Sequence, residues 1–201
     1  MSKVKLTKTE LKAQADALKR FERFLPMLQL KKQQLQAEIA LITARIEEAL
    51  SHEDAEQKKL NTWVSLFSDT SNDLASLVRL DSVVTDTSNI AGVSIPVFKA
   101  IETTTASLDL FASPVWLDIA AATVTRVMSL KAERMVLERE RSLIAIELNM
   151  TSQRVNLFEK VKIPECRENI RIIKIAIGDA QTASVTRGKI AKGRSSKEDA
   201  A

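Results

Sequence analysis

The side chains that most often carry out chemistry are scarce in this chain. Of 201 residues, one is a histidine, His52, and one is a cysteine, Cys166. A His-based metal site needs several such ligands, and a nucleophilic triad needs a base beside its nucleophile. Neither set is expected within one copy of this chain. His52 stands beside Glu53 and Asp54 and reads as a solvated helix position. Cys166 shares a heptad row with Ile173 and Ala180, which reads as a buried core thiol, and a single cysteine makes no internal disulfide. No G-x-x-x-x-G-K-[ST] loop is present to cradle phosphates, and no carboxylate pair stands in a pocket-forming context. The expectation is a chain with no cofactor, no metal and no catalysis of its own.

What remains is charge, unevenly spread. The formal net charge is +4, yet residues 1–20 balance at +4, residues 51–115 at −5 and residues 150–201 at +5. Both ends are basic and the middle is acidic. The simplest reading of a tail such as Arg187-Gly-Lys-Ile-Ala-Lys-Gly-Arg194 is a solvated segment that touches anionic polymers or lipids nonspecifically. A nucleic-acid binder would interleave aromatic side chains for stacking with its basic residues. There are six Phe and no Tyr, and none falls in the basic tail, so no nucleic-acid partner is expected.

The elements that must carry these charges are long helices. Only 4 Gly and 4 Pro occur, and aromatic residues make up 4%, which is too little turn chemistry for a compact α/β enzyme. From residue 8 to about 60, Leu11, Leu18, Leu25, Ile39 and Ile46 recur by seven, with Lys32 interrupting. Phe21, Leu28, Leu35, Ile42 and Ala49 form the second row of an a/d seam, the pattern of a coiled coil. Thr7 and Glu10 have capping-box spacing, and Pro26 predicts a kink. Some 50 helical residues span about 75 Å. A second stretch starts near Ser113-Pro114, with Leu130, Leu137, Ile144 and Phe158 in one row, and Thr151 interrupting. Ile163, Ile170 and Ile177 form a different row after it, with Pro164 marking a kink or a fresh start. Between the helices, Leu77–Val84 and Ala91–Phe98 are β-prone, and Thr85–Asn89 supplies the turn of a short hairpin, with Pro96 confining its strand to an edge. Trp63 and Trp116 flank this insert and are expected to pack where it joins the helices.

The fold expected is mostly α: a long antiparallel two-helix coiled coil with a small central insert containing the hairpin. Its parts are an N-terminal helix over 1–62, an insert over 63–113, a C-terminal helix over 114–186 and a basic flexible tail over 187–201. Neither seam can be buried by one helix alone, so the two helices fold back on each other and bring the basic ends together. No run approaches 18 uncharged apolar residues, so no span inserts in a membrane. The start of the chain lacks the apolar core of a signal peptide.

Three stretches carry a resemblance. Arg154-Val-Asn-Leu-Phe-Glu-Lys-Val-Lys-Ile-Pro164, followed by Glu168-Asn-Ile-Arg-Ile-Ile173, resembles the C-terminal signature of the D-subunit family of V-type and archaeal-type rotary ATPases, R-V-N-A-L-E-x-V-x-I-P. Thr7-Lys-Thr-Glu-Leu11 and Met27-Leu-Gln-Leu-Lys-Lys-Gln-Gln-Leu35 resemble its N-terminal signature. Asn89-Ile-Ala-Gly-Val-Ser-Ile-Pro-Val-Phe98 resembles its middle motif, N-x-A-G-V-x-V-P-x-F. The likeness is to prokaryotic members, and it implies a non-catalytic central-stalk rotor shaft that couples ATP hydrolysis or synthesis to ion translocation. It also implies partners: the catalytic and regulatory head subunits (A and B), the small rotor subunit (F) and the membrane-ring adaptor (C/d). The complex would be peripheral, on the cytoplasmic side of the membrane. A stand-alone coiled-coil adaptor or chaperone is the competing reading of the helices alone.

Under that resemblance, partner contacts fall to Lys31, Lys32, Arg154, Asn156, Lys160 and Ile163, and at the expected hairpin tip to Asp86 and Asn89. Each has a plainer alternative. Lys31 and Lys32 are also what a solvated helix face looks like, and Lys32 at an a position sets register. Arg154 and Lys160 suit intrahelical pairing. Asn156 suits an interhelical hydrogen bond, and Ile163 suits helix packing. Asp86 and Asn89 suit a plain surface loop.

Overall fold

The computed structural model describes residues 4–61, 78–105 and 116–198, with side chains described as far as residue 192. Helix α1 is Lys8–Asn61, strands β1 and β2 are Val78–Ile90 and Val93–Thr105, and helix α2 is Leu117–Leu157. A π-helical turn, Phe158–Lys162, then leads into helix α3, Ile163–Glu198. The chain divides into two compact units: Met1–Leu30 with Thr151–Ala201, and Lys31–Met150. The class is the expected one, helical with a two-stranded antiparallel hairpin.

Thr7 starts α1: its Oγ1 accepts the Glu10 N–H at 3.2 Å, satisfying one of the donors that a helix start leaves open. The helix continues through Pro26 to Asn61 without a break in its assignment. In the unit of residues 31–150, the a/d rows of α1 are the buried ones. Leu35, Ile42, Ile46 and Ala49 are buried, and Glu53 and Glu56 continue the same rows. The core there is Leu35, Ile42 and Ile46 of α1, Ile144 of α2 and Ile95 of β2. The two helices run antiparallel in this unit. Lys31 Nζ meets Glu147 at 2.6 Å, while further along α1 Glu53 meets Arg134 at 2.8 Å.

In the unit of the two chain ends, Phe21 of α1 packs on Phe158 with ring centroids 4.9 Å apart and planes at 52°. Glu22 accepts from Arg167 at 2.9 Å. Val155, Ile163, Cys166 and Ile173 are buried here, as is Thr151. The spacing of the buried and half-buried positions explains the two rows seen in the sequence. The steps from 151 run to 155, 158, 163, 166, 170 and 173, that is four, three, five, three, four and three residues. One step of five breaks a regular alternation of three and four. It coincides with the π-turn, where the N–H of Ile163 donates to the carbonyl of Phe158, five residues back. One extra residue would turn an α-helix by about 100° and carry the isoleucine row off the seam. The wide turn absorbs that residue and returns Ile163 to the buried face. Pro164, which removes an N–H and crowds the carbonyl four residues back, follows directly. Pro164 is the second residue of α3, so the new α-helical segment expected there does begin at this point, directly after the π-turn.

The hairpin differs from its expected form. The strands are longer, and Thr85–Asn89 belong to β1 rather than to a turn. The turn is the two residues Ala91 and Gly92, both with positive φ (51° and 84°), flanked by the pair Ile90 and Val93. A two-residue connection with both residues left-handed matches the twist of the strands, and glycine takes that geometry without strain. The β-branched threonines at 85 and 87 favour the extended chain. Asn89 is a helper to the turn: its Oδ1 accepts the Gly92 N–H at 2.9 Å. The end of the hairpin is packed, since Ile90, Ala91 and Val93 lie against the core cluster.

At the far end, α3 runs to Glu198, past residue 186 where the sequence places a flexible tail. After Pro164 the segment contains no proline and is rich in Ala, Lys, Arg and Ile, so Gly178, Gly188 and Gly193 are the weak points the helix passes through. Trp116 is half-buried at the turn before α2, whereas Trp63 and Ser113-Pro114 lie outside the described residues.

Candidate functional site

The residues the sequence marks for partner contact are spread over both units, and several are already engaged. Lys31 is half-buried and holds Glu147. Lys32 is half-buried on the a row, seven residues after Leu25. Arg154, Asn156 and Lys160 are exposed. Arg154 and Asn156, two apart on α2, point to different sides of the helix. Ile163 is 7% exposed, so its side chain serves the seam. Asp86 and Asn89 are exposed on β1. The Asp86 carboxylate takes Lys99 Nζ at 2.9 Å and the Thr87 N–H at 2.8 Å, which together hold it below the usual carboxylate range. Asn89 is committed to the turn.

The distribution of charge is clearer than any single residue. The unit of the chain ends contains eighteen Lys/Arg against nine Asp/Glu, a balance of +9. The unit of residues 31–150 contains twelve against seventeen, a balance of −5. Fold-back of the helices therefore gathers both basic segments of the sequence in one body. Its ion pairs are surface pairs such as Glu22–Arg167 and Lys162–Glu165, each worth about 0–1 kcal/mol.

Buried charge sits in the other unit, at positions the apolar periodicity does not mark. Glu53 is 6% exposed and Glu56 9%. Arg134 donates to Glu53 through Nε at 2.8 Å and to Glu138 through Nη1 at 2.7 Å. Those two carboxylates hold its guanidinium more firmly protonated than usual, Glu53 foremost. Glu56 takes Lys59 at 2.9 Å and Arg126 at 3.5 Å, and its acidity is strengthened chiefly by Lys59. A signal for both exists in the spacing: Glu53 lies seven residues after Ile46, and Glu56 seven after Ala49. Counting only apolar residues ends the seam too early.

Glu140 is the contrasting case. It is 4% exposed, and burial pushes its carboxyl above the ordinary range, opposed in part by Arg45 and reinforced by Glu38. Cys166 is a buried free thiol, and desolvation together with nearby Glu165 raises its pKa. That makes it a poor nucleophile, in keeping with a packing role. Among the described residues, no group of three or more His, Cys, Asp or Glu is arranged to hold a metal ion. No helix there is long and apolar enough to cross a membrane.

Comparison with known proteins fits this architecture. The family model for the D subunit of ATP synthase matches residues 10–193. The V-type ATP synthase D subunit of Borreliella burgdorferi is 46% identical over 196 residues, covering 96% of this chain and 95% of that one. The V-type ATP synthase D subunit of Chlamydia caviae is 30% identical over 193 residues, covering 95% and 93%. That of Chlamydia trachomatis serovar L2 is 31% identical over 193 residues, covering 95% of each chain.

Proposed function

This chain belongs to the D-subunit family of ATP synthases, and from that premise we propose that it is the central rotor shaft of a V-type rotary ATPase. It is a subunit of that assembly. In this reading it catalyses nothing itself, and it transmits rotation between nucleotide chemistry in the head and ion translocation through the membrane ring. Its partners are the head subunits (A and B), the small rotor subunit (F) and the ring adaptor (C/d). It works in the peripheral part of the complex on the cytoplasmic side.

The observation that carries the proposal is the pairing of both chain ends in one basic helical unit, through contacts such as Phe21–Phe158 and Glu22–Arg167. A shaft must resist twisting. A helix pair whose apolar rows interlock resists it, because one helix cannot rotate without pulling side chains out of the other. A shaft must also turn freely, so no single head contact should be strong. Exposed Lys, Arg, Glu and Gln offer contacts of about 0–1 kcal/mol each. A balance of +9 in this unit favours acidic surfaces in the head and slackens with salt. Because the shaft lacks the symmetry of the ring around it, it contacts each head site differently. Differential contact is what shifts those sites into different states.

The test is reconstitution. Purified chain, at micromolar concentration, is mixed with the two head subunits and, separately, with the small rotor subunit from the same source. Stable complexes with both are expected. Failure to capture either would remove the shaft proposal.

A further inference from the structure

Glu53 and Glu138 hold Arg134, Glu56 holds Lys59 and Arg126, and Glu147 holds Lys31. Three other glutamates of the same two helices hold no cation and share one cavity. Glu48 of α1 and Glu133 and Glu140 of α2 line a space of about 440 Å³ between the helices and β2. Among the described residues, none of the three makes a hydrogen bond or an ion pair. Glu140 is the telling one. It is 4% exposed, so its carboxylate has lost nearly all of its water and has gained no donor in exchange. A buried acid group that opens on a cavity and lacks a partner inside the chain is complementary to a cation from outside it.

The lining also decides which cation. Arg45 and His52, both exposed, stand at the same cavity, and Arg45 acts on Glu140 across space without touching it. With His52 neutral, three carboxylates against one guanidinium leave a balance of −2. The unit around the cavity is itself at −5. A compact metal ion needs its acids drawn together, and among the described residues no three such groups are so arranged. Glu133 and Glu140 are instead spaced two turns apart on α2, about 10.5 Å, with Leu137 between them and Phe98 of β2 in the same wall. Charge, hydrocarbon and charge in succession match a chain whose ammonium groups are separated by methylenes. A single ammonium would leave one negative charge uncompensated, and an amino acid, with its own carboxylate, would leave both. We propose that this cavity binds an aliphatic diamine or polyamine, with one ammonium on Glu140, another toward Glu133 or Glu48, and its methylenes against Leu137 and Phe98. Each ammonium donates charge-assisted hydrogen bonds that the carboxylates lack within the chain. The inference goes beyond the rotary reading and stands without it.

The test titrates the full chain with spermidine in a calorimeter at fixed ionic strength, and follows urea unfolding with and without it. Saturable binding at one site and a raised urea midpoint are expected, because the ligand binds the folded chain. The same site should take 1,4-diaminobutane more weakly, and n-butylamine or magnesium chloride at least tenfold more weakly at the same ionic strength. Glu140→Gln should lower spermidine affinity at least tenfold, and Glu133→Gln severalfold. Glu159→Gln, an exposed acid in the unit of the chain ends, should leave it unchanged. Absence of saturable binding would overturn the proposal. So would equal binding of magnesium or butylamine, which would reduce the effect to screening or to a single charge. An unchanged affinity in Glu140→Gln would overturn it as well. Should that variant fail to fold, Glu133→Gln decides, and unchanged affinity there counts against the proposal in the same way.

Discussion

Removing one residue from the π-turn should leave the protein folded, and this is the sharpest consequence of the seam geometry. The residue to delete is exposed Lys160, with Pro164→Ala made at the same time so that proline does not break the shortened helix. The step from Phe158 to the isoleucine row then falls from five to four, and an ordinary α-helix keeps both on the seam. The alternative is that the π-turn is unrelated to phase. Deletion would then rotate everything after it by about 100° and expose Ile163, Cys166 and Ile173, which are now 7%, 6% and 0% exposed. At about 1.5–3 kcal/mol per buried apolar side chain, somewhat less for cysteine, that exposure would cost roughly 5 kcal/mol. Such a loss is comparable with the whole stability of a small domain. The assay is urea unfolding followed by circular dichroism, together with the reaction of Cys166 with a chromogenic disulfide. A midpoint within about 1 kcal/mol of wild type and a thiol as slow to react as before are expected. A fast thiol and a large fall in midpoint would refute the phase argument. Pro164→Ala alone should retain the π-turn, since the heptad phase demands it.

Other predictions follow from buried charge and from the hairpin. Glu53→Ala removes one of the two carboxylates that hold the Arg134 guanidinium, leaving Glu138 at 2.7 Å, and should destabilise by about 1.5–3 kcal/mol. Glu53→Leu with Arg134→Leu should recover most of that, and urea midpoints of the two variants make the comparison. Glu140 has a raised pKa when folded, so folding takes up a proton above the ordinary value of 4.5 and stability falls as pH rises through that window. Glu140→Gln should therefore stabilise at pH 7 and lose its advantage below pH 4.5, as read from midpoints across pH. Gly92→Val places a β-branched side chain at φ 84° and should destabilise the hairpin by about 1–2 kcal/mol, seen as faster amide exchange in β1 and β2. No neighbour lies within 4 Å of the added Cβ, so the cost is conformational.

Much of the fold was legible because coiled-coil chemistry is periodic. Leu35, Ile42, Ile46 and Ile173 were read as seam residues and are buried to 5% or less. The break between the Phe158 row and the Ile163 row was visible too, but its remedy was not. Proline suggests a kink from sequence alone, whereas the phase of burial on both sides calls for one absorbed residue. The hairpin was legible as a pair of strands, while its turn was misplaced. Thr, Asp and Asn compose turns on average, yet left-handed geometry at Ala91-Gly92 decides the connection. The buried glutamates were missed because a carboxylate on an a or d row looks like the end of a seam until its arginine is found 81 residues away at Arg134. Site residues were the least legible. Lys31, Asp86 and Asn89 hold other parts of the same chain, and a single sequence does not show such engagement.

The central claim is that this chain turns. Its most direct test fixes the head of the reconstituted complex to a surface and attaches a bead to this chain in the unit of residues 31–150. With ATP present, the bead should rotate in one direction, pausing at three angles per turn, and should stop when ATP is withdrawn. Steady ATP hydrolysis with a properly attached but motionless bead would contradict the account.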